Sequence, residues 1–295
     1  MSAAVTLAAA NRRGIACISA AMVCFVVNDM LMKKLGESLP LPQLIVMRGC
    51  VATLLVLTLA QATGATRRLR QVADCRVLLR AAVDAVGSLI YLASLMHLPL
   101  ANATAINLAS PLVIALLAVL FLGERPGAAR WLAILGGFGG VLLIVQPAAA
   151  GFSAWAWVCL AGTLFQATRD LLTRRIDPSV PALLVTLANA MAVTLAAALW
   201  MAGSAAWQPL DAAQALRVAA AAALLSGGYW LIVLGMRHGE MSVVAPFRYV
   251  GLLAALALGW LVWRDVPNAL ATAGIALLLA AGVYLLHEQR AAASR

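Results

Sequence analysis

Seven charged residues interrupt stretches that are otherwise apolar: Asp29, Arg48, Arg80, Asp84, Arg169, Asp170 and Arg248. An ion taken out of water needs a counter-ion or a wet cavity, so charges inside apolar helices mark solute or proton pathways. Depth along the chain suggests two pairs. Asp29 lies near the far end of the first apolar run, and Arg48 about two turns into the second at about 3.6 residues per turn. Asp84 lies at a matching depth on the third run to Arg248 on the ninth. Such a pair can bind solute or a proton directly, or it can neutralise itself and fix helix register. Arg80 stands near a run end and is read as snorkelling its head to the interface. The adjacent Arg169 and Asp170 are read the same way.

Polar and aromatic residues in the third, fourth, eighth and ninth runs complete the candidate set. Tyr91, Asn107, Ser110, Tyr229, Trp230 and Tyr249 are expected to line a cavity with the charged Asp29, Arg48, Asp84 and Arg248. Amides and hydroxyls replace the hydration of an ammonium or carboxylate, and aromatic faces hold apolar groups or cations. Ordinary packing is the competing role for each ring. Pro111 and Pro246 interrupt the fourth and ninth runs. Carbonyls freed beside a proline can bind solute or let the helix bend.

Catalytic chemistry has little to stand on. The histidines are His97, His238 and His287, all at run ends, and no HExxH, GxSxG or carboxylate-rich pair occurs. The chain is therefore expected to be no enzyme and to need no cofactor or metal. Gly136, Gly137, Gly139 and Gly140 lie in an apolar run with no strand before them. Close helix packing explains them better than a nucleotide loop. Cys17, Cys24, Cys50, Cys75 and Cys159 show no CxxC or zinc spacing and read as small packing residues. Glu124 and Asp265 each lie beside an arginine and before a proline, as turn caps or surface pairs do.

The elements that must position these residues follow from composition. The chain has 295 residues, 64% hydrophobic and 11% charged, against about 25% charged in soluble domains. Runs of about 20 apolar residues cross roughly 30 Å of hydrocarbon as helices. The runs are long and unalternated, which excludes a β-barrel. Ten spans are expected near 14–34, 41–61, 77–97, 100–122, 127–146, 153–173, 181–203, 214–236, 242–263 and 267–287. Trp155, Trp157, Trp200, Trp207 and Trp263 fall at span ends, as interfacial belts do. The first run is read as a full span and not as a cleaved signal, since Arg12 and Arg13 precede it and residues 1–11 carry no basic side chain.

The net charge of +10 is spread in short basic clusters between runs, a topology signal rather than a nucleic-acid footprint. With ten spans, thirteen arginines, including Arg67, Arg68, Arg70 and Arg76, share one face, while Lys33, Lys34, Arg217 and Arg264 occupy the other. Both termini are then expected in the cytoplasm. The expected partners are a small-molecule solute and the lipid bilayer, with no nucleic acid, and the chain is expected as a monomer or weak oligomer.

An internal repeat gives the domain plan. Asn28-Asp29 and Lys33-Lys34 resemble Arg169-Asp170 and Arg174-Arg175 at an offset of 141 residues. Pro40 and Pro181, Glu124 and Asp265, and Pro126 and Pro267 keep that offset. Apolar helices look alike by chance, but these matches fall on polar and proline positions. Two units, 1–146 and 147–295, each of five spans, are expected. An odd span number turns the second copy upside down, a build that suits alternating access. The copies disagree in charge at two places: Arg48 maps onto Asn189, and Asn28 onto Arg169.

Several segments resemble the ten-helix EamA-type drug/metabolite transporters. Leu98 to Pro111 is similar to that family's junction between the third and fourth helices. Gly123-Glu124-Arg125-Pro126 is similar to its acidic turn, and the 136–140 glycines to its fifth helix. Ala245-Pro246-Phe247-Arg248-Tyr249 and Asp265-Val266-Pro267 resemble the second-repeat counterparts, with Asp where Glu is usual. The resemblance implies an all-α polytopic membrane protein, two inverted five-helix repeats around a central cavity. It also implies secondary transport of small metabolites across a bacterial-type inner membrane. Within the superfamily the chain is nearest in pattern to amino-acid exporters of the YddG type. Importers of nucleoside-like, vitamin-like or cationic metabolites share the pattern, and a passive channel remains an alternative to a carrier.

Overall fold

In a computed structural model the described residues are 2–122, 127–146, 153–173, 175–177, 179–204, 207–238 and 245–293. Glu124, Arg125 and Pro126 lie outside them, as does the side chain of Pro246. Among the described residues all regular structure is helical. The helices are α1 (Ser2–Leu35), α2 (Leu41–Ala62), α3 (Cys75–His97), α4 (Leu100–Asn107), α5 (Ser110–Leu122) and α6 (Ala128–Val145). They continue as α7 (Trp155–Thr173), α8 (Ala182–Ser204), α9 (Ala212–His238), α10 (Val250–Trp263) and α11 (Ala269–Ala293). Short 3-10 segments occupy Ala65–Ala73 and Ala245–Tyr249.

Boundaries follow residues that cannot continue a helix. Pro40 and Pro99 precede α2 and α4, where a missing N–H costs nothing. Gly64 takes a left-handed φ of 73° after α2, a conformation that glycine adopts without strain. Pro111 cannot donate to the carbonyl one turn before it, and the helix breaks at Leu108–Ala109, between α4 and α5. The chain crosses that break with a tighter bond from the Ala109 N–H to the Ile106 carbonyl at 3.0 Å.

Among the described residues, α1, α2, α3, α8 and α9 and the run Leu100–Leu117 across α4 and α5 are long and apolar enough to cross a membrane; three shorter apolar helices lie at Trp131–Val145, Phe247–Trp263 and Ala269–Tyr284, and α7 is in neither group. Large aliphatic side chains face outward: Leu132 and Leu216 are each 71% exposed, and Leu199 68%. Such surface is costly in water and at home in hydrocarbon. The chain is a multi-pass membrane protein.

The helices form two compact units, each drawn from both halves of the sequence. The first comprises Met1–Val27, Leu98–Ala154 and Gly227–Arg295. Here α6 packs along α11, and α4 along α10. Gly140 and Gly274 let α6 and α11 touch through their backbones: a Cβ on Gly140 would lie 2.7 Å from the Gly274 carbonyl oxygen. The amides of Gln146 and Asn268 close the same pair of helices with reciprocal bonds of 2.7 and 3.0 Å.

The second unit comprises Asn28–His97 and Trp155–Ser226. In it α2 packs along α8, and α3 lies against α7 and α8. Gly49 sits under the Thr194 side chain. Gln43, fully buried, clamps Gln208 through its backbone, donating to the carbonyl at 2.7 Å and accepting from the N–H at 3.0 Å. Val56, Leu184 and Leu187 pack into one apolar cluster, and Val77, Ala81 and Ala188 into another.

Candidate functional site

The helices α3 and α7 run antiparallel, and their contacts step evenly along both. The His97 and Trp155 rings stack at 3.9 Å. One turn on, Ser94 hydrogen-bonds the buried Cys159. A Cβ on Gly162 would stand 3.1 Å from the Tyr91 nitrogen, and one on Gly87 would meet the Gly162 oxygen at 3.3 Å. Beyond that crossing Asp84 meets Arg169, and Arg80 meets Thr173. Arg80, Asp84, Gly87, Tyr91 and Ser94 recur at helical spacing, so they share one face of α3. Glycines at the crossing bring the helices close enough for polar side chains on either side of it to meet.

Two polar networks result, both within the second unit. One is built on Asp29. The Tyr91 hydroxyl donates to its Oδ2 at 2.8 Å, and the Asn28 amide to its Oδ1 at 2.9 Å. Arg48 Nη1 in turn donates to Asn28 Oδ1 at 3.2 Å, and its charge acts on the Asp29 carboxylate. Asn28 is 2% exposed and Arg48 6%. The pairing expected from depth is thus relayed through an amide.

The other network is built on Arg169. Its Nη1 donates to Asp84 Oδ1 at 2.6 Å, and its Nη2 lies 2.8 Å from Asp170 Oδ1. Asp84 is 1% exposed, and its second oxygen, Oδ2, is buried with no hydrogen-bond partner among the described residues. Arg80 lies alongside, donating to Thr173 Oγ1 at 3.0 Å and to Asn189 Oδ1 at 3.4 Å. Depth in the sequence pairs Asp84 with Arg248. The structure gives Asp84 to Arg169, and Arg248 stands in the other unit. Seven residues of α3 separate Asp84 from Tyr91, which puts the networks about 10 Å apart along the helix axis at 1.5 Å per residue.

The remaining candidates belong to the first unit. Asn107 and Ser110 flank the break between α4 and α5. Arg248 and Tyr249 end the 3-10 turn that leads into α10. Tyr249 lies over Gly282 of α11, where any side chain would overlap the ring and hydroxyl. Tyr229 packs edge-on to Phe25 with ring centroids 5.1 Å apart, and Trp230 is 52% exposed.

Sequence reasoning left Thr173 out of the site altogether, and brought in Asn28, Arg169 and Asn189 only as places where the two copies disagree and solute is to be sought. Asn28, Arg48, Arg169 and Asn189 are the positions where the two copies differ in charge, and all four enter these networks. Among the described residues no group of His, Cys, Asp and Glu is arranged to hold a metal ion.

Residues 12–146 match the EamA-like transporter family. A riboflavin transporter of Rhizobium johnstonii is 30% identical over 72% of this chain and 70% of its own length. A pseudopaline exporter of Pseudomonas aeruginosa is 26% identical over 90% of this chain and 93% of its own. An S-adenosylmethionine uptake transporter of Rickettsia bellii is 22% identical over 67% of each. One solved structure, described as the crystal structure of a protein, superposes with a TM-score of 0.62 at 19% identity, covering 95% of this chain and 99% of its own. That likeness speaks for the fold alone. The chain belongs to the EamA-like transporter family, within the drug/metabolite transporters, and its activity at family level is small-molecule transport rather than catalysis.

Proposed function

We propose that this member of the EamA-like transporter family exports small zwitterionic metabolites of the amino-acid class by alternating access. The observation that carries the reading is the ion pair of the buried Asp84 with the partly exposed Arg169, and Asp170 beside it. Breaking the pair leaves the Asp84 carboxylate buried without its counter-charge, at a cost of several kcal/mol. A zwitterion removes that cost, because its ammonium can take the Asp84 carboxylate while its carboxylate takes the Arg169 guanidinium. Asp170 keeps Arg169 partly compensated during the exchange. The unpartnered Oδ2 of Asp84 offers a first foothold for an N–H donor. Solutes lacking either charge leave one protein charge bare, and are rejected for that reason.

The Asp29–Tyr91 network is proposed as a second polar station on the same face of α3. Pro111 and Pro246 are proposed as bending points, which the break at Leu108–Ala109 and the 3-10 turn at Ala245–Tyr249 support. We also propose that α4 with α5, and the 245–249 turn with α10, each make one span. The chain then has ten spans in two inverted repeats, 1–146 and 147–295. Helix packing supports this: α2 lies on α8, α4 on α10 and α6 on α11, and in each case the partners are mates under the repeat offset. Helices next to a twofold axis must meet their own mates. The arginine asymmetry supports an inner-membrane protein with both termini cytoplasmic.

A second reading, uptake of a vitamin-like metabolite, is favoured by the 30% identity to a riboflavin transporter. Proteoliposome counterflow separates the readings and tests for a carrier. Internal unlabelled substrate accelerates labelled uptake through a carrier and does nothing through a pore. Trans-stimulation by amino acids supports the first reading. Trans-stimulation by riboflavin alone supports the second.

A further inference from the structure

At the arginine-rich end of α3 and α7 a cleft of about 380 Å³ is lined by Arg76, Leu79, Leu172 and Arg175. The volume lies in the range of small-ligand sites, and the lining is of two kinds. Arg76 and Arg175 are exposed guanidinium groups, and Leu79, 52% exposed, lies on an apolar membrane-spanning helix. The basic rim is held in place. Arg76 Nη1 donates to the Arg175 carbonyl at 3.1 Å, and Arg68 Nη1 to the Ser179 carbonyl at 3.0 Å. Asp74 caps the N-terminus of α3 by accepting from the Arg76 N–H at 2.8 Å. Asp177 is a second carboxylate beside Arg76. The Ser179 backbone N–H, then its hydroxyl, and in smaller part Arg76, hold the Asp177 carboxyl below its usual range, so it stays ionised. Two carboxylates, Asp74 and Asp177, stand beside three guanidinium groups, Arg68, Arg76 and Arg175, so the rim keeps a net positive charge.

We infer that this cleft binds one anionic phospholipid, its headgroup phosphate between Arg76 and Arg175 and its acyl chain along Leu79 and Leu172. Guanidinium groups recognise phosphate oxygens through paired N–H donors. Basic pockets between spanning helices at the membrane surface select anionic headgroups over zwitterionic ones. A soluble phosphate would use the arginines and leave the leucines idle. A lipid uses both, and the cleft joins the two where a spanning helix ends. The lipid would tie α3 to α7 at the end nearest the Asp84–Arg169 pair.

The test is native mass spectrometry of the full chain released from nanodiscs of phosphatidylcholine doped with phosphatidylglycerol. One phosphatidylglycerol is expected to stay bound per chain, and the double variant Arg76→Gln, Arg175→Gln is expected to lose about tenfold or more in retention. The control Arg67→Gln, Arg70→Gln removes the same charge from outside the cleft and should leave retention unchanged. Leu79→Ser should weaken retention without altering charge. Soluble glycerol phosphate should fail to displace the lipid. Equal loss in the control variant, retention insensitive to Leu79→Ser, or displacement by glycerol phosphate would each overturn the proposal.

Discussion

Asp84 and Arg169 meet at 2.6 Å across the antiparallel pair α3 and α7, one of them 1% exposed, in a network that also holds Asp170. A carboxylate so enclosed is stable only while its counter-charge stays, and removing one member of such a pair costs roughly 3–5 kcal/mol. The pair therefore ties transport to stability in a way that mutation can separate.

Arg169→Gln leaves Asp84 and Asp170 without their shared cation and should lower both transport and melting temperature. Asp84→Asn should cost less stability, because Asp170 still compensates Arg169. The double variant Asp84→Asn, Arg169→Gln should recover much of the stability and none of the transport. Thermal melting in detergent and proteoliposome uptake, run on the same preparations, check this. A double variant that transports normally would show the pair to be structural.

Tyr91→Phe keeps the ring and removes the hydroxyl that donates to Asp29 at 2.8 Å. A hydrogen bond to a charged group contributes about 1.5–3 kcal/mol. Thermal stability should fall accordingly, and, with the Asp29 network as a station for solute, transport at low solute concentration should fall as well. Initial uptake rates across a concentration series check it.

The glycines of α6 are not equivalent. A Cβ at Gly140 would meet the Gly274 oxygen at 2.7 Å, whereas at Gly136 or Gly139 the nearest atom is a leucine methyl at 3.9 Å. Gly140→Ala should destabilise by about 1–3 kcal/mol through overpacking. Gly136→Ala and Gly139→Ala should be neutral or stabilising, since alanine favours helix over glycine by about 1 kcal/mol. Melting temperatures of the three variants decide it.

Single cysteines placed at Arg70 and at Gln208, in a background lacking Cys17, Cys24, Cys50, Cys75 and Cys159, report topology. With the basic face in the cytoplasm, the Arg70→Cys protein should resist an impermeant maleimide in intact cells, and the Gln208→Cys protein should react. The reverse pattern would invert the assignment.

Much of the fold was legible in the apolar runs. A helix crossing hydrocarbon must be apolar over its whole length, so Leu41–Ala62 and Ala182–Ser204 announce themselves, and Pro40 and Pro99 mark where α2 and α4 start. The site was less legible. Depth along a run is readable from sequence, but which run lies beside it is not. That is why Asp84 was matched in depth with Arg248, while its partner is an arginine 85 residues away on α7. Arg169 also looked like an interfacial charge because Asp170 follows it. Only the repeat hinted otherwise, by setting Asn28 opposite Arg169 and Arg48 opposite Asn189.

The most direct test of the proposed exporter is counterflow by the purified chain in liposomes, with a panel of labelled amino acids, riboflavin and organic cations, for the native protein beside Arg169→Gln. Trans-stimulated exchange of amino acids by the native chain, abolished in the variant, is the predicted result. Exchange of no amino acid, or amino-acid exchange undiminished in Arg169→Gln, would contradict it.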